Sequence, residues 1–232
     1  MTVLELQKEY LPAIAPEDFF LLLSYATGKE KVSLLAHPEY KLPPELITTA
    51  RQYLDRRKKH EPVAYIVGKK EFYGRSFLVT KDTLIPRPET ELLVDRVLTM
   101  IQNQKWGIGN REHVDIVDVG TGSGNIIITL AKEVEEKNQV SNIRYHALDI
   151  STDALRVATK NAEHYNITKK VTFIESNLLE NFPLPKEKNT HLVILANLPY
   201  LSEKIYQESD PDVRCIETKS ALTSGPDGLD HY

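Results

Sequence analysis

The chain has 232 residues, and its contents of 41% hydrophobic and 27% charged residues are those of a globular protein. This length can hold one medium domain and a small one. The net charge of −4 leaves the chain without an overall electrostatic footprint for nucleic acid, so we expect no direct contact with nucleic acid. The single Cys215 cannot form an internal disulfide, and the seven histidines show no metal-ligand spacing. We therefore expect a reducing, cytoplasmic location and no metal.

Residues 1–60 show a helical pattern and are predicted to form a small N-terminal helical domain. Pro16 is expected to open a helix that ends at Gly28, and a second amphipathic segment follows Pro44. The apolar run Phe19–Leu23 is too short to span a bilayer and follows two acidic residues, so no membrane segment is expected. The basic run Arg56–His60 is predicted to be the solvated last turn of a helix, with a partner contact as the alternative.

Residues 61–85 are predicted to link this domain to the rest of the chain. Aromatic and β-branched residues cluster over residues 63–79 around Gly68 and Gly74, which indicates a β-hairpin. Pro88 is then expected to begin a helix that runs to about Ile101. The remaining residues, 86–232, form the predicted second domain.

Strands and helices alternate from Val114 onward. The predicted strands lie near residues 114–119, 143–149, 171–175 and 191–196. This alternation predicts an α/β fold, a Rossmann-like parallel sheet with helices on both faces.

A glycine-rich turn follows the first of these strands and contains Gly120, Thr121, Gly122, Ser123 and Gly124. The glycines allow the backbone to approach a ligand closely, and the next helix offers unpaired N–H groups. The turn is not a dinucleotide or phosphate loop, because Asn125 replaces the required third glycine and no Gly-Lys-Ser/Thr follows. Gly-x-Gly-x-Gly is the version associated with class I methyltransferases. Asp149 ends the second strand, where a carboxylate can accept ribose hydroxyls, so S-adenosyl-L-methionine is the expected cofactor. An ordinary loop is the alternative.

The run Asn197-Leu198-Pro199-Tyr200 follows the last predicted strand, at the rim where open α/β sheets bind ligands. An amide or exocyclic amino nitrogen is a poor nucleophile, so an enzyme must hold its hydrogens and direct its lone pair. The Asn197 side chain and the Leu198 backbone each supply one carbonyl acceptor, and Pro199 restrains residue 198. Tyr200 offers an aromatic face. These four residues are the predicted catalytic clamp; a strand followed by a proline turn is the alternative.

Two further runs, Glu61–Gly74 and Leu84–Val94, resemble the HemK/PrmC family of release factor glutamine methyltransferases. The resemblance extends from about Pro16 to the end of the chain and includes the Ser220–Asp230 run. It implies transfer of a methyl group to the glutamine amide of the Gly-Gly-Gln motif in peptide chain release factors. It also implies that the helical domain contacts the release factor.

The resemblance assigns roles to particular residues. It implies that Gly120–Gly124 and Asp149 bind the cofactor, together with Asn197, and that Asn177 and Leu178 lie beside its adenine. Asn197–Tyr200 then bind the substrate, and a wall of the site is formed by Arg87, Pro88, Glu89 and Thr90.

The chain departs from the family at two positions. Leu198 replaces the usual proline, which keeps the carbonyl and loses rigidity, and Asn-Leu-Pro-Tyr also occurs in ribosomal RNA adenine dimethyltransferases. An adenine N6-methyltransferase acting on RNA or DNA is therefore an alternative. The run Glu175–Leu178 lacks the family's usual aspartate and aromatic residue, so weaker adenine stacking is expected.

The family would continue past Tyr232 with three more strands. We therefore expect a methyltransferase domain truncated at its C-terminus, with the strand at residues 191–196 left as an apolar edge. A non-catalytic fragment is the alternative that this expectation raises.

Overall fold

The computed structural model describes residues 1–102, 113–137, 142–187, 190–209, 217 and 219–232. The chain divides into two compact units: the first includes Met1–Gly68, and the second includes Lys69–Glu208 and Glu217–Tyr232. No helix within the described ranges combines the length and the hydropathy needed to cross a membrane.

The first unit is helical. Its helices are α1 (Val3–Tyr10), α2 (Pro16–Thr27), α3 (Lys31–Ala36), α4 (Pro44–Lys58) and α5 (Val63–Val67). Thr2 and Glu5 form a capping box at the start of α1, and Gly28 ends α2 in a left-handed conformation at φ 68°. The predicted α2 and α4 helices are thus confirmed. Their apolar faces bury a core that includes Leu6, Phe19, Leu22, Leu23 and Leu54.

The basic run at the end of α4 makes internal contacts. Arg56 donates two hydrogen bonds to the Glu61 carboxylate, at 2.8 and 2.6 Å, and two more to backbone carbonyls. Arg57 donates to Asp18 at 2.7 Å. The run does lie in the last turn of α4, as predicted, but the Arg57 side chain is only 16% exposed instead of solvated. These two cations therefore stabilise the helical unit itself.

The predicted hairpin is wrong in its first part. Val63–Val67 forms the helix α5, because Pro62 precedes its first turn and Gly68 ends it at φ 74°. The hairpin consists of β1 (Lys69–Phe72) and β2 (Arg75–Leu78), which pair in antiparallel fashion around Tyr73 and Gly74. Of the β-branched residues that suggested a strand over residues 63–67, Ile66 is buried in the helical core, and Val63 and Val67 are partly buried against it.

The second unit contains a four-stranded parallel sheet in the order β5-β4-β3-β6. After the hairpin, its elements are a 3₁₀ turn (Pro88–Thr90), α6 (Glu91–Gln102), β3 (His113–Val119), α7 (Asn125–Glu136), β4 (Ile143–Asp149), α8 (Thr152–His164), β5 (Val171–Glu175), β6 (Thr190–Ala196), α9 (Glu203–Glu208) and a second 3₁₀ turn (Lys219–Ala221). All four predicted strands and the predicted Rossmann-like class are confirmed. Strands β4 and β5 lie on one side of β3 and β6 lies on the other, so the chain crosses to the opposite side of the sheet after β5. Ligands bind at such a crossover point in open α/β sheets.

The sheet separates two apolar clusters. Alternate residues of β3, Val114 and Ile116, pack with buried residues of α6 and α7 in the larger cluster. Val117 and Val119 point to the other face and pack with Phe182 and Leu198. Leu198, one of the predicted clamp residues, is therefore part of the structural core.

Candidate functional site

A cavity of about 280 Å³ lies at the carboxyl ends of β3, β4 and β6. Its walls contain most of the predicted site residues: Arg87, Thr90, Gly120, Thr121, Gly122, Ser123, Asp149, Asn177, Leu178, Asn197, Leu198 and Pro199. Residues separated widely in sequence thus meet in one concave site because parallel strands end at the same edge of the sheet.

The glycine turn connects β3 to α7 with three residues at positive φ, namely Gly120 at 71°, Gly122 at 54° and Gly124 at 77°. A Cβ atom on Gly122 would meet nothing within 4 Å, so this position faces open space. A Cβ on Gly124 would lie 2.8 Å from Ile128 and 3.1 Å from Ala158 of α8. Gly122 therefore keeps the backbone accessible to a ligand, whereas Gly124 allows α8 to pack closely.

Asp118 lies beneath the glycine turn and is fully buried. Its carboxylate accepts a hydrogen bond from the Thr121 hydroxyl at 2.7 Å. Burial raises the pKa of Asp118 to about 7; the charge of Asp149 acts in the same direction, and the Thr121 bond opposes it. Sequence reasoning did not assign Asp118 a role, although its position at the end of an apolar strand was visible.

Asp149 is the last residue of β4 and contacts the glycine turn. One of its carboxylate oxygens accepts the Gly122 N–H at 2.9 Å, and the other accepts the Ser151 N–H at 2.9 Å. Burial raises the pKa of Asp149, although the bonds from Ser151 and Gly122 lower it. Each carboxylate oxygen retains acceptor capacity, so Asp149 can both support the turn and accept hydroxyl groups from a ligand.

Asn177 and Leu178 contribute another wall of the cavity. The side-chain nitrogen of Asn177 donates to the Glu180 carboxylate at 2.9 Å. The side-chain carbonyl oxygen of Asn177 is not used in this bond, because a carboxylate can only accept, and it stays available to a ligand. Leu178 adopts φ 49°, a left-handed conformation that is uncommon for a leucine. This pair provides a polar acceptor and an apolar surface beside each other, as a planar heterocycle requires.

Asn197 lies directly after β6 and lines the cavity. Its side-chain nitrogen donates to the Thr90 hydroxyl at 3.2 Å, which leaves its carbonyl oxygen available as an acceptor. Leu198, the next residue, is buried at 8% exposure, and a Cβ on Gly120 would lie 2.9 Å from its side chain. The leucine side chain therefore packs against the glycine turn, a role that its backbone carbonyl alone did not suggest.

Arg87 connects the cavity wall to a distant part of the chain. Its guanidinium donates at 2.7 Å to Glu217, whose side chain is 3% exposed. Such a buried charge must remain paired, so the ion pair holds the Arg87 segment in place.

Some predicted residues stand outside the cavity wall. Gly124 is the N-cap of α7, and neither Pro88 nor Glu89 is among the lining residues, whereas Thr90 of the same turn is. Tyr200 is 62% exposed and also absent from the lining. Sequence reasoning missed Ala221 and His231, which do line the cavity. The glycines and proline of the Ser220–Asp230 run signalled a turn there, but nothing in the run placed it at the site.

The residues present fit a nucleoside that carries an amino acid chain. The cavity has an accessible glycine turn, an acid at the end of β4 and an apolar wall that includes Ile126, Ile150 and Leu178. Within the described ranges, no group of His, Cys, Asp and Glu residues could hold a metal ion. Asn197 places a carbonyl acceptor on the wall of the same cavity.

Comparison with known proteins identifies two matching family models and several relatives of similar sequence. Residues 3–68 match the PrmC N-terminal domain family, and residues 110–221 match the methyltransferase domain family. The chain is 39% identical to the release factor glutamine methyltransferase of Bacillus subtilis (strain 168), with 91% of this chain and 69% of that protein covered. It is 36% identical to the enzyme of the same name from Rhodopirellula baltica, with 92% and 68% covered.

A third relative is longer. The chain is 36% identical to the bifunctional methyltransferase of Rickettsia bellii, with 91% of this chain and 40% of that protein covered. On the extent and identity of these matches, the chain belongs to the family of release factor glutamine methyltransferases.

Proposed function

We propose that this protein transfers a methyl group from S-adenosyl-L-methionine to the side-chain amide nitrogen of the glutamine in the Gly-Gly-Gln motif of peptide chain release factors. The observation that carries the proposal is the position of Asn197, which lies on the wall of the same cavity as the glycine turn. Family membership supports the same activity.

The cofactor would lie along the ends of β3 and β4. Gly120–Gly124 would hold its amino acid end, Asp149 would accept its ribose hydroxyls, and Asn177 with Leu178 would contact its adenine. When bound, S-adenosyl-L-methionine supplies a methyl group on a positively charged sulfur, which a weak nucleophile can attack.

The residues after β6 would orient that nucleophile. The glutamine amide nitrogen carries two hydrogens, and the Asn197 side chain and the Leu198 backbone each offer one carbonyl oxygen to accept them. Holding both hydrogens would direct the nitrogen lone pair at the methyl group. As the N–C bond formed, the methyl–sulfur bond would break and the nitrogen would lose one proton to water, because amide carbonyls are too weakly basic to keep it. Such positioning lowers a barrier by several kcal/mol without a strong base.

The first unit is proposed to contact the release factor. It matches the PrmC N-terminal domain family over residues 3–68, and the cavity residues all belong to the second unit. A division in which one unit performs the chemistry and the other selects the protein substrate is consistent with both facts. Pro88 and Glu89, in the same turn as the cavity-lining Thr90, are proposed to contact the substrate, with Tyr200 providing an exposed aromatic face.

The test is the transfer of tritium from labelled S-adenosyl-L-methionine to a purified release factor. We expect labelling of the wild-type factor and none of its Gly-Gly-Gln→Gly-Gly-Ala variant, because the variant lacks the accepting nitrogen. Ribosomal RNA and duplex DNA serve as parallel substrates. If the nucleic acid becomes labelled and the release factor does not, the result would favour an adenine N6-methyltransferase and contradict the proposal.

A further inference from the structure

The segment Leu222–Tyr232, called the strap below, packs against the residues that follow β6. Thr223 forms a parallel bridge with Leu201. The Leu201 N–H donates to the Leu222 carbonyl at 2.9 Å, and the Ser224 N–H donates to the Leu201 carbonyl at 3.0 Å. Leu201 directly follows the Asn197–Tyr200 clamp, so these bonds fix one end of the clamp backbone.

Ser224 closes the strap on itself. The residue has no exposed surface, and its hydroxyl oxygen accepts a hydrogen bond from the backbone N–H of His231 at 2.9 Å. The same oxygen lies 2.6 Å from Nδ1 of the His231 ring. Because the buried Ser224 hydroxyl contacts both the backbone and the ring of His231, it holds His231 in a defined place. The position of the next residue, Tyr232, is restrained as a consequence.

The strap also touches the clamp at two other points. The Tyr232 hydroxyl donates to the Leu198 carbonyl at 3.1 Å. Gly228, at φ 86°, lies so close that a Cβ atom there would be 2.4 Å from the Tyr200 carbonyl oxygen. The strap thus contacts the backbone of Leu198, Tyr200 and Leu201.

We propose that Tyr232 is a positioning residue that holds the Leu198 carbonyl in the orientation needed to accept a substrate N–H. This inference rests on the proposed function. Pro199 restrains residue 198 from one side, but Leu198 lacks the ring that would fix its own φ. The hydroxyl supplies the missing restraint. A carbonyl oxygen has two acceptor sites, so the bond from Tyr232 leaves one for the substrate.

The experiment compares Tyr232→Phe with Tyr165→Phe. Tyr165 is a matched control because its hydroxyl also donates to a backbone carbonyl, that of Ser76 at 2.7 Å, and Tyr165 does not line the cavity. We expect Tyr232→Phe to lower kcat for release factor methylation about tenfold, because misplacing an orienting group slows the reaction. The dissociation constant of S-adenosyl-L-methionine should change less than about twofold. Tyr165→Phe should leave kcat unchanged.

A second variant reaches the same contact indirectly. Ser224→Ala removes the hydroxyl that holds His231 and, through it, Tyr232. This variant should also lower kcat, as Tyr232→Phe does. If Tyr232→Phe keeps kcat within about twofold of the wild type, or raises it because the hydroxyl competes with the substrate, the proposal is overturned.

A measurement without substrate separates this inference from the proposed function. Hydrogen exchange at the backbone N–H groups of residues 197, 198, 200 and 201 should be faster in Tyr232→Phe than in Tyr165→Phe, because the clamp backbone loses a restraint. Equal exchange in the two variants would refute the positioning role even if the wild-type protein methylates a release factor. Faster exchange without any methylation would instead leave the restraint standing and reject the proposed function.

Discussion

At the scale of single residues, the two ends of the Asn197 carboxamide have different surroundings. The nitrogen donates to Thr90, a largely buried residue of the 3₁₀ turn, at 3.2 Å. The oxygen is left for a donor in the cavity. A side chain held by a neighbour at one end and open at the other is suited to orient a substrate, and the chemistry of an amide nucleophile requires an acceptor at that point.

Replacing Asn197 with alanine should therefore lower turnover about a hundredfold or more, because the acceptor that orients the nucleophile is lost. Binding of S-adenosyl-L-methionine should change only modestly, since the glycine turn and Asp149 remain. Steady-state kinetics with a release factor and equilibrium binding of the cofactor check the two parts. Near-normal turnover in this variant would show that Asn197 does not belong to the clamp.

A second residue-scale effect concerns Asp118, which burial holds at a pKa of about 7 instead of 3.8. Its folded pKa is raised, so the folded state binds the proton more tightly than the unfolded state between these two values. Its contribution to stability is full below about pH 4 and is lost as the pH rises to about 7.

We expect Asp118→Asn to flatten this dependence. Each pH unit in that window corresponds to roughly 1 kcal/mol of the free energy of unfolding, so the variant should gain stability relative to the wild type as the pH rises from 5 to 7. Urea denaturation at both pH values measures the difference. An identical pH slope for the two proteins would show that Asp118 does not titrate in this range.

At the scale of elements, Asn161 of α8 joins three segments around the glycine turn. Its side chain accepts the Leu78 N–H at 2.7 Å and donates to the carbonyls of Leu78 and Ser123, at 3.0 and 2.8 Å. The hairpin strand β2, the turn and α8 are thus linked by one buried amide. Arg75 adds a second link from β2, at 2.6 Å to Glu133 of α7.

Asn161→Ala should lower the free energy of unfolding by about 3 kcal/mol, because it removes three hydrogen bonds and leaves buried backbone groups without partners. The neighbouring exposed Lys160 is the control, and Lys160→Ala should change stability by less than about 0.5 kcal/mol. Urea denaturation of both variants provides the comparison. Equal stability of the two variants would contradict the linking role of Asn161.

At the scale of the whole molecule, the site cavity belongs entirely to the second unit, while the first unit has its own helical core.

Leu22→Ala leaves an empty space in that helical core, where Leu22 is fully buried, and should lower the free energy of unfolding by roughly 2–5 kcal/mol. The dissociation constant of S-adenosyl-L-methionine should stay within about twofold of the wild type, because no cavity residue changes. Calorimetry of binding, together with thermal denaturation, tests both expectations. A large loss of cofactor affinity would mean that the helical core supports the cofactor site.

Most of the fold follows from short-range signals, and so does much of the candidate site. The central strand β3 has apolar residues on both of its faces because both faces are buried, so it could be recognised without any contact information. Pro16 and Gly28 set the ends of α2 through backbone restrictions of their own. The error at residues 63–67 has the same origin: apolar runs of that length are ambiguous until the bounding proline and glycine are weighed.

The sequence alone therefore determined what most segments form and which residue types carry chemistry, because backbone restriction, hydrophobic periodicity and the glycine turn are properties of neighbouring residues. Only the tertiary structure decided how distant side chains pair. Thr90 and Asn197 are 107 positions apart, Arg87 and Glu217 are 130 apart, and Leu198 and Tyr232 are 34 apart. No local pattern encodes such pairs, since each depends on where the sheet brings its strand ends and on how the strap folds back over them.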